Sequence, residues 1–142
     1  MKEKIFLTRT LHDFALKELK KKFQIEVHTG KIPIPKNTLK SKIKQTNGLI
    51  CFPYDQIDKE IIQSAKNLKV ISTFSVGYDH IDTKFAKENK IRVGYTPEVL
   101  TNATADMAFA LMIDSLRRIS EGDRIIRNKN GSKSMEHMIM LD

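Results

Sequence analysis

The residues of this chain best suited to hold a ligand form a glycine-containing turn, Ser75-Val76-Gly77, directly after the apolar stretch 70–74. Glycine tolerates backbone angles closed to other residues and lets a ligand approach the main chain. Successive N–H groups in such a turn can form a small anion-binding concavity, which fits a carboxylate. The glycine taken alone favours another interpretation, in which Gly77 only turns the chain toward the next helix.

Other residue types that carry chemistry do not form a recognisable pattern. No two glycines have the spacing of G-x-G-x-x-G, so these 142 residues lack the loop with which a helix N-terminus meets a pyrophosphate. Cys51 lies inside an apolar run, which indicates a small core residue and not a nucleophile. We assign no metal site and no catalytic residue. His80 is interpreted as a turn or helix-start residue.

The elements that position the turn follow from hydrophobic periodicity. Short apolar runs alternate with amphipathic stretches over the first hundred residues, the pattern of a parallel sheet covered by helices. Five strands are predicted, at 4–8, 24–28, 48–52, 70–74 and within 91–97. The strand at 70–74 shows little alternation, which predicts that both of its faces are covered.

Three helices are predicted between these strands. The first places Leu11, Ala15, Leu19 and Phe23 at a spacing of four, so this stripe should pack on the sheet. Asn37-Thr38 offers a cap for the second helix. Pro53, Asp55 and Asp58 should open the third, whose predicted buried stripe is Ile57, Ile61, Ile62, Ala65 and Leu68.

This order of elements predicts an α/β fold, a flavodoxin-like doubly wound parallel sheet. In such sheets ligands bind outside the carboxyl ends of the strands, where Val76 and Gly77 are expected to lie. A long helix over 101–120 should follow, with Thr101 or Asn102 as its cap. Because this helix is apolar around most of its circumference, we expect it to be buried in a large protein.

The charge of +8, from 25 Lys and Arg against 17 Asp and Glu, raises the question of nucleic-acid binding. The lysines are scattered opposite apolar positions without aromatic interleaving, so we interpret them as solvated faces and expect neither a nucleic-acid nor a membrane partner. A single cysteine, with no signal segment and no long apolar run, indicates a reducing, cytoplasmic location.

Three segments together resemble the D-isomer-specific 2-hydroxyacid dehydrogenases, nearest to the glyoxylate/hydroxypyruvate reductase branch. They are VISTFSVGYDHID at 70–82, IRVGYTP at 91–97 and TNATADMA at 101–108. The resemblance extends over roughly residues 3–125. It implies a substrate domain over 1–100, then a crossover helix and the start of a cofactor-binding domain over 101–142.

The resemblance also implies roles for individual residues. The backbone of Val76 and Gly77 would hold the carboxylate of a small 2-keto or 2-hydroxy acid, and Phe52 would border the substrate, with simple core packing as an equal alternative. Thr104 and Val76 would lie near the bound NAD or NADP. For Thr104 the alternative is a first-turn threonine that satisfies nearby backbone groups. The crossover helix region would contribute to a homodimer, and self-association is expected there.

Members of the family that the chain resembles are more than twice this length, and their dinucleotide loop, substrate arginine and acid-paired histidine lie beyond the match to residue 142. We therefore expect a truncated NAD(P)-dependent dehydrogenase without its Rossmann domain. The complete enzyme would reduce glyoxylate, hydroxypyruvate or a similar 2-keto acid, whereas this chain alone should neither bind cofactor nor turn over. Two alternatives stay open: a non-catalytic interaction or carboxylate-binding module, and a fragment without function. The keto acid and the choice between NAD and NADP are not determined.

Overall fold

The computed structural model describes residues 2–128 and contains five strands joined by helices. The strands are β1 (Lys4–Leu7), β2 (Gln24–Val27), β3 (Gly48–Cys51), β4 (Val70–Thr73) and β5 (Arg92–Gly94). The helices between them are α1 (Asp13–Lys22), α2 (Lys36–Ile43), α3 (Lys59–Ser64) and α4 (Thr83–Glu88). Two helices follow β5, namely α5 (Thr101–Arg117) and α6 (Ile119–Arg127).

The strands form one parallel sheet in the order β2-β1-β3-β4-β5. This is the flavodoxin-like order, so the predicted fold class is confirmed. The connection from β1 to β2 runs toward one edge of the sheet, and the later connections run toward the other edge. Because such crossovers are right-handed, α1 lies on one face of the sheet and α2, α3 and α4 lie on the opposite face.

The hydrophobic core lies between the sheet and the layer formed by α2, α3 and α4. Phe6, Leu49 and Ile71 point into it from three neighbouring strands, and each is almost completely buried. The predicted stripe of Ile57, Ile61, Ile62, Ala65 and Leu68 is buried in the same core. Burying one such large aliphatic side chain contributes about 1.5–3 kcal/mol, so this layer carries most of the stability.

The predicted start of α2 is wrong, and the predicted start of α3 is correct for Asp58 but not for Asp55. Neither Asn37 nor Thr38 caps α2, because the helix begins earlier and the carbonyl of Pro35 accepts the Leu39 N–H at 3.0 Å. Asp55 does not open α3 either. That helix is capped by Asp58, whose side chain accepts the Ile61 N–H at 3.0 Å, while Asp55 is engaged elsewhere.

The face of the sheet that carries α1 is less covered than the sequence predicted. In β4, Val70 and Ser72 are exposed whereas Ile71 and Thr73 are buried, so the strand alternates and the prediction of two covered faces is wrong for this unit. Helix α1 contacts β2, so it lies near the β2 edge of the sheet and away from β4. No residue of α1 is buried, and the stripe through Ala15 and Leu19 is half-buried.

The chain divides into two compact units, Met1–Val99 and Leu100–Asp142. The predicted domain boundaries, 1–100 and 101–142, stay a prediction, and residues 129–142 lie outside the described part. In the second unit the predicted single helix is two helices. Arg118 adopts the left-handed conformation (φ 52°) and ends α5, and the Asp114 carboxylate accepts the Ser120 N–H at 2.6 Å at the start of α6.

The surface of α5 also differs from the prediction. Leu100 occupies the N-cap position without a side-chain hydrogen bond, so neither Thr101 nor Asn102 caps the helix. None of its residues is buried, and Phe109 and Leu116 are 64% and 74% exposed. The broad apolar surface seen in the sequence is therefore exposed on this helix.

We expect the Cys51 thiol to be inert in the folded chain. The residue is fully buried, and burial raises the pKa of its thiol to about 12, an effect that the Thr73 hydroxyl reduces in part. The reactive thiolate is therefore scarce at neutral pH. Iodoacetamide labelling followed by mass spectrometry should modify Cys51 in denaturing urea and leave it intact in native buffer. Rapid labelling of the native chain would contradict this expectation.

Candidate functional site

Polar and aromatic residues follow the carboxyl ends of neighbouring strands. Thr8 and Arg9 follow β1, the turn 52–55 follows β3, the loop 74–80 follows β4 and Thr96 lies just after β5. All five strands are parallel, so these segments meet at one edge of the sheet, where ligands bind in folds of this type. We call this group of segments the carboxyl edge.

The turn after β3 is held by one buried carboxylate. Asp55 is 3% exposed and accepts hydrogen bonds from the Thr8 hydroxyl and from the Phe52 N–H, the latter at 2.9 Å. The Asp55 N–H in turn donates to the Phe52 carbonyl at 3.0 Å. Asp55 therefore ties the end of β1 to the end of β3 and fixes where Phe52 leaves the strand.

A second set of hydrogen bonds shapes the loop after β4. The Thr73 hydroxyl contacts the Ser75 hydroxyl at 2.6 Å and the His80 Nε2 atom at 2.9 Å. The Ser75 hydroxyl donates to the Gly77 carbonyl at 2.7 Å, and the Ser75 carbonyl accepts the Thr96 N–H at 3.0 Å. Side chains and the neighbouring strand end thus fix the carbonyl groups of this loop.

The N–H groups of Val76 and Gly77, by contrast, have no acceptor among residues 2–128. Both residues are exposed. Gly77 does not have a positive φ, so the expectation of a glycine-specific backbone angle is wrong. A Cβ atom at Gly77 would meet only the Asp79 Oδ2 atom within 4 Å, at 3.7 Å. The glycine instead leaves open space at its own Cβ position, beside two N–H donors without an acceptor in the described residues.

His80 lies behind this loop and is partly buried. Burial lowers the pKa of its imidazole below the ordinary value of 6.5, although the charges of Asp55 and Asp79 act in the opposite direction. The His80 carbonyl accepts the Ile57 N–H at 2.9 Å. The residue therefore links the loop after β4 to the segment that follows Asp55. The sequence indicated a turn residue and missed this contact with Thr73.

Phe52 both packs in the protein and borders open space. The residue is 7% exposed, its ring centroid lies 5.5 Å from that of Phe74, and the Arg9 guanidinium carbon lies 6.0 Å from the ring centroid. Phe52 also lines a cavity of about 620 Å³ beside the end of β1. The sequence did not single out Arg9 or Tyr54, which line the same cavity. The only available signal was their position directly after strand ends.

The two residues predicted to lie near the cofactor belong to different compact units of the chain. Val76 belongs to the carboxyl edge and is 38% exposed. Thr104 lies on α5, where its side chain is exposed and its N–H donates to the Leu100 carbonyl at 2.8 Å. Within residues 2–128 there is no cluster of three or more His, Cys, Asp or Glu residues that could hold a metal ion. The same residues include no helix with the length and hydropathy needed to cross a bilayer.

Comparison with known proteins gives consistent matches. Residues 5–140 match the family model described as D-isomer specific 2-hydroxyacid dehydrogenase, catalytic domain. The chain is 38% identical over 133 residues to a glyoxylate reductase of Pyrococcus horikoshii, and this match covers 94% of the chain and 40% of the relative. For a glyoxylate reductase of Thermococcus litoralis the identity is 39%, with the same coverage of each chain.

A solved structure agrees with these sequence matches. A crystal structure of a protein from Thermus thermophilus superposes with a TM-score of 0.77 at 43% identity, covering 88% of this chain and 40% of that one. The 142 residues thus span about 40% of the length of the relatives that they match. The resemblance seen in the three sequence segments is confirmed.

We expect His80 to titrate below its ordinary pKa in the folded chain, because burial disfavours the imidazolium. Between the two pKa values the unfolded chain binds more protons than the folded chain. His80 therefore contributes stability that is present above pH 6.5 and is lost as the pH falls through the folded-state pKa. An NMR titration of His80 in native buffer and in urea measures both values. A native pKa equal to or above the unfolded one would contradict this assignment.

Proposed function

The chain belongs to the D-isomer-specific 2-hydroxyacid dehydrogenase family, and from that premise we propose that its carboxyl edge holds the substrate carboxylate of an NAD(P)-dependent reductase of small 2-keto acids. The reaction reduces the keto group to a D-2-hydroxy acid by hydride transfer from the nicotinamide. Glyoxylate and hydroxypyruvate are the proposed substrates. The family as a whole is one of oxidoreductases that act on CH–OH groups.

One observation carries the proposal: two adjacent backbone N–H groups belong to the exposed residues Val76 and Gly77 and have no acceptor in the described chain. N–H donors that bind a carboxylate form charge-assisted hydrogen bonds, which are stronger than neutral ones. The surrounding carbonyls are already fixed by Ser75 and Thr96. Because the Ser75 carbonyl and the Val76 N–H belong to the same peptide plane, the Val76 donor is held in place before a ligand arrives, which lowers the entropy lost on binding.

The residues described for this chain do not by themselves form a dinucleotide site. Val76 supplies an apolar side chain and a backbone N–H, and Thr104 supplies one hydroxyl, while the printed sequence has no glycine-rich phosphate loop. We therefore derive no step of hydride transfer from these residues. Their proposed contribution is to bind and orient the substrate, with Phe52 as the apolar wall beside it.

The activity and the binding site are tested on the same preparation. Because the chain spans about 40% of its relatives, we expect no oxidation of NADH or NADPH with glyoxylate or hydroxypyruvate. A full-length glyoxylate reductase serves as the positive control. Turnover by these 142 residues would show that they contain catalytic groups that we have not assigned. Glyoxylate binding without turnover would support the carboxylate site, and it is also the behaviour of the alternative, a carboxylate-binding module.

Substitution of Gly77 separates binding from folding. Gly77→Ala meets no strain, because its φ is not positive and the new Cβ has only an ordinary contact, so the free energy of unfolding should change by less than about 1 kcal/mol. The methyl group would enter the open space at Gly77 that the proposal assigns to the carboxylate. Glyoxylate affinity, measured by isothermal titration calorimetry, should fall about tenfold or more.

Gly94→Ala is the matched control for this substitution. A Cβ atom at Gly94 would meet only the Ser72 hydroxyl within 4 Å, at 3.9 Å, so the change is chemically the same and equally well tolerated. This variant should bind glyoxylate as the wild-type chain does. Equal affinity in the wild-type chain and in Gly77→Ala would remove the proposed carboxylate site.

We also propose that α5 contributes to a contact between two copies of the chain. The support is its exposed apolar surface, on which Phe109 and Leu116 lie seven residues apart and hence on one face. Analytical ultracentrifugation should show a concentration-dependent dimer. Leu116→Lys should shift the equilibrium toward monomer, whereas Ser115→Lys, which adds the same charge at the neighbouring exposed position, should not. A monomer at every concentration would contradict the proposal.

A further inference from the structure

The cavity beside the carboxyl edge is larger than the proposed substrates need. Its volume of about 620 Å³ is within the usual range of small-molecule sites and corresponds to about twenty water molecules. Glyoxylate has only about five non-hydrogen atoms and would leave most of this space empty. The cavity therefore has room for a substrate with a longer side chain.

The walls of this cavity are mainly apolar, and four of the ten lining residues are Phe or Tyr. Phe14, Phe52, Tyr54 and Phe74 line it, and the rings of Phe52 and Tyr54 are stacked with centroids 6.2 Å apart. Although Phe52 is buried, Phe14 and Phe74 are 74% and 55% exposed. Exposed aromatic rings around a concave surface favour contact with the apolar part of a ligand.

The charge of the cavity is positive. Arg9 lies on its wall, and no Asp or Glu residue lines it among the described residues. The Arg9 guanidinium makes one hydrogen bond, from Nη1 to the Tyr54 hydroxyl at 2.8 Å, and has no carboxylate partner among residues 2–128. Arginine has five N–H donors in a planar fork, so most of its donors remain available to an anion.

The cavity is also close to the proposed carboxylate site. Phe74 lines the cavity and precedes Gly77 by three residues, a length of chain that spans at most about 10 Å even when fully extended. Phe52 packs against Phe74 and lines the same cavity. The cavity and the proposed carboxylate site are therefore neighbours, joined by the short segment from Phe74 to Gly77.

We propose that Arg9, held by Tyr54, is the binding site for a second anionic group at the far end of the substrate. The preferred substrates are then 2-keto diacids, whose first carboxylate binds at Val76 and Gly77 and whose second binds at Arg9. This inference rests on the proposed carboxylate site and extends it. It makes Arg9 the residue that distinguishes diacids from monoacids of equal length.

The test uses ligand pairs that differ only in the distal group. Oxaloacetate, 2-oxoglutarate and 2-oxoadipate are compared with 2-oxobutyrate, 2-oxopentanoate and 2-oxohexanoate, in which a methyl group replaces the second carboxylate. Binding to the isotope-labelled 142-residue chain is followed by NMR at the Val76 and Gly77 amides and at the Arg9 Nε–H group. At least one diacid should perturb all three signals and bind about ten- to hundredfold more tightly than its monoacid.

Variants assign that preference to Arg9. Arg9→Gln should remove the advantage of the diacid over its monoacid, while Arg9→Lys, which keeps the charge without the fork, should retain part of it. Arg9 is exposed, so these changes should not affect folding. The matched control is Arg92→Gln, an exposed arginine at the amino end of β5. It removes the same charge at the opposite edge of the sheet and should keep the full diacid preference.

The outcomes separate this inference from the proposed function. If both members of every pair perturb Val76 and Gly77 with equal affinity, or if Arg9→Gln keeps the preference, the distal site is wrong and the carboxylate site stands. If no ligand perturbs Val76 and Gly77, the carboxylate site itself is wrong. Diacids that perturb Arg9 alone would show that no single ligand connects the two ends, and this too would overturn the inference.

Discussion

The hydrogen bonds of the Asp55 carboxylate are the constraint on which the rest of the site depends. Asp55 joins the end of β1, through Thr8, to the end of β3, through the Phe52 N–H. These two neighbouring strands mark the switch point of the sheet, since the connections after them run in opposite directions. A buried carboxylate without partners costs several kcal/mol, so the two strand ends are strongly held in this arrangement.

This constraint reaches the ligand-binding loop through the next segment of the chain. Ile57, two residues after Asp55, donates its N–H to the His80 carbonyl, and the Ile57 carbonyl accepts the Asp82 N–H at 3.0 Å. The loop after β4 is therefore attached at its far end to the turn after β3, and at its near end to Thr73 through Ser75. Phe52 and the segment that carries the Val76 and Gly77 donors consequently belong to one hydrogen-bonded framework, and such support favours selective binding of a small anion.

The periodicity of apolar residues was sufficient to predict the strands of the sheet, but it was not sufficient to predict the contacts of the side chains around the sheet. Strand ends agree with the predictions to within about a residue because apolar runs must end where the core ends. Asp55 was assigned to a helix start because an acidic residue shortly before an amphipathic stretch is a common helix signal. Its actual partner, Thr8, is 47 residues away along the chain, and no local pattern encodes such a pairing. The break at Arg118 was missed for a similar reason, since left-handed conformations are usually marked by glycine or asparagine.

The central position of β1 has a consequence for how the chain folds. The strand lies between β2 and β3, so its second neighbour is not complete before Cys51 has been synthesised. Parallel pairing adds loop-closure entropy at every strand, which slows folding relative to helical proteins of the same size. Strand β1, which contains the apolar residues Ile5, Phe6 and Leu7, therefore has one unpaired edge throughout early synthesis. Although β1 is paired along both edges in the native sheet, it is thus among the segments that stay unpaired longest during synthesis. During that time it can misfold or be bound by chaperones.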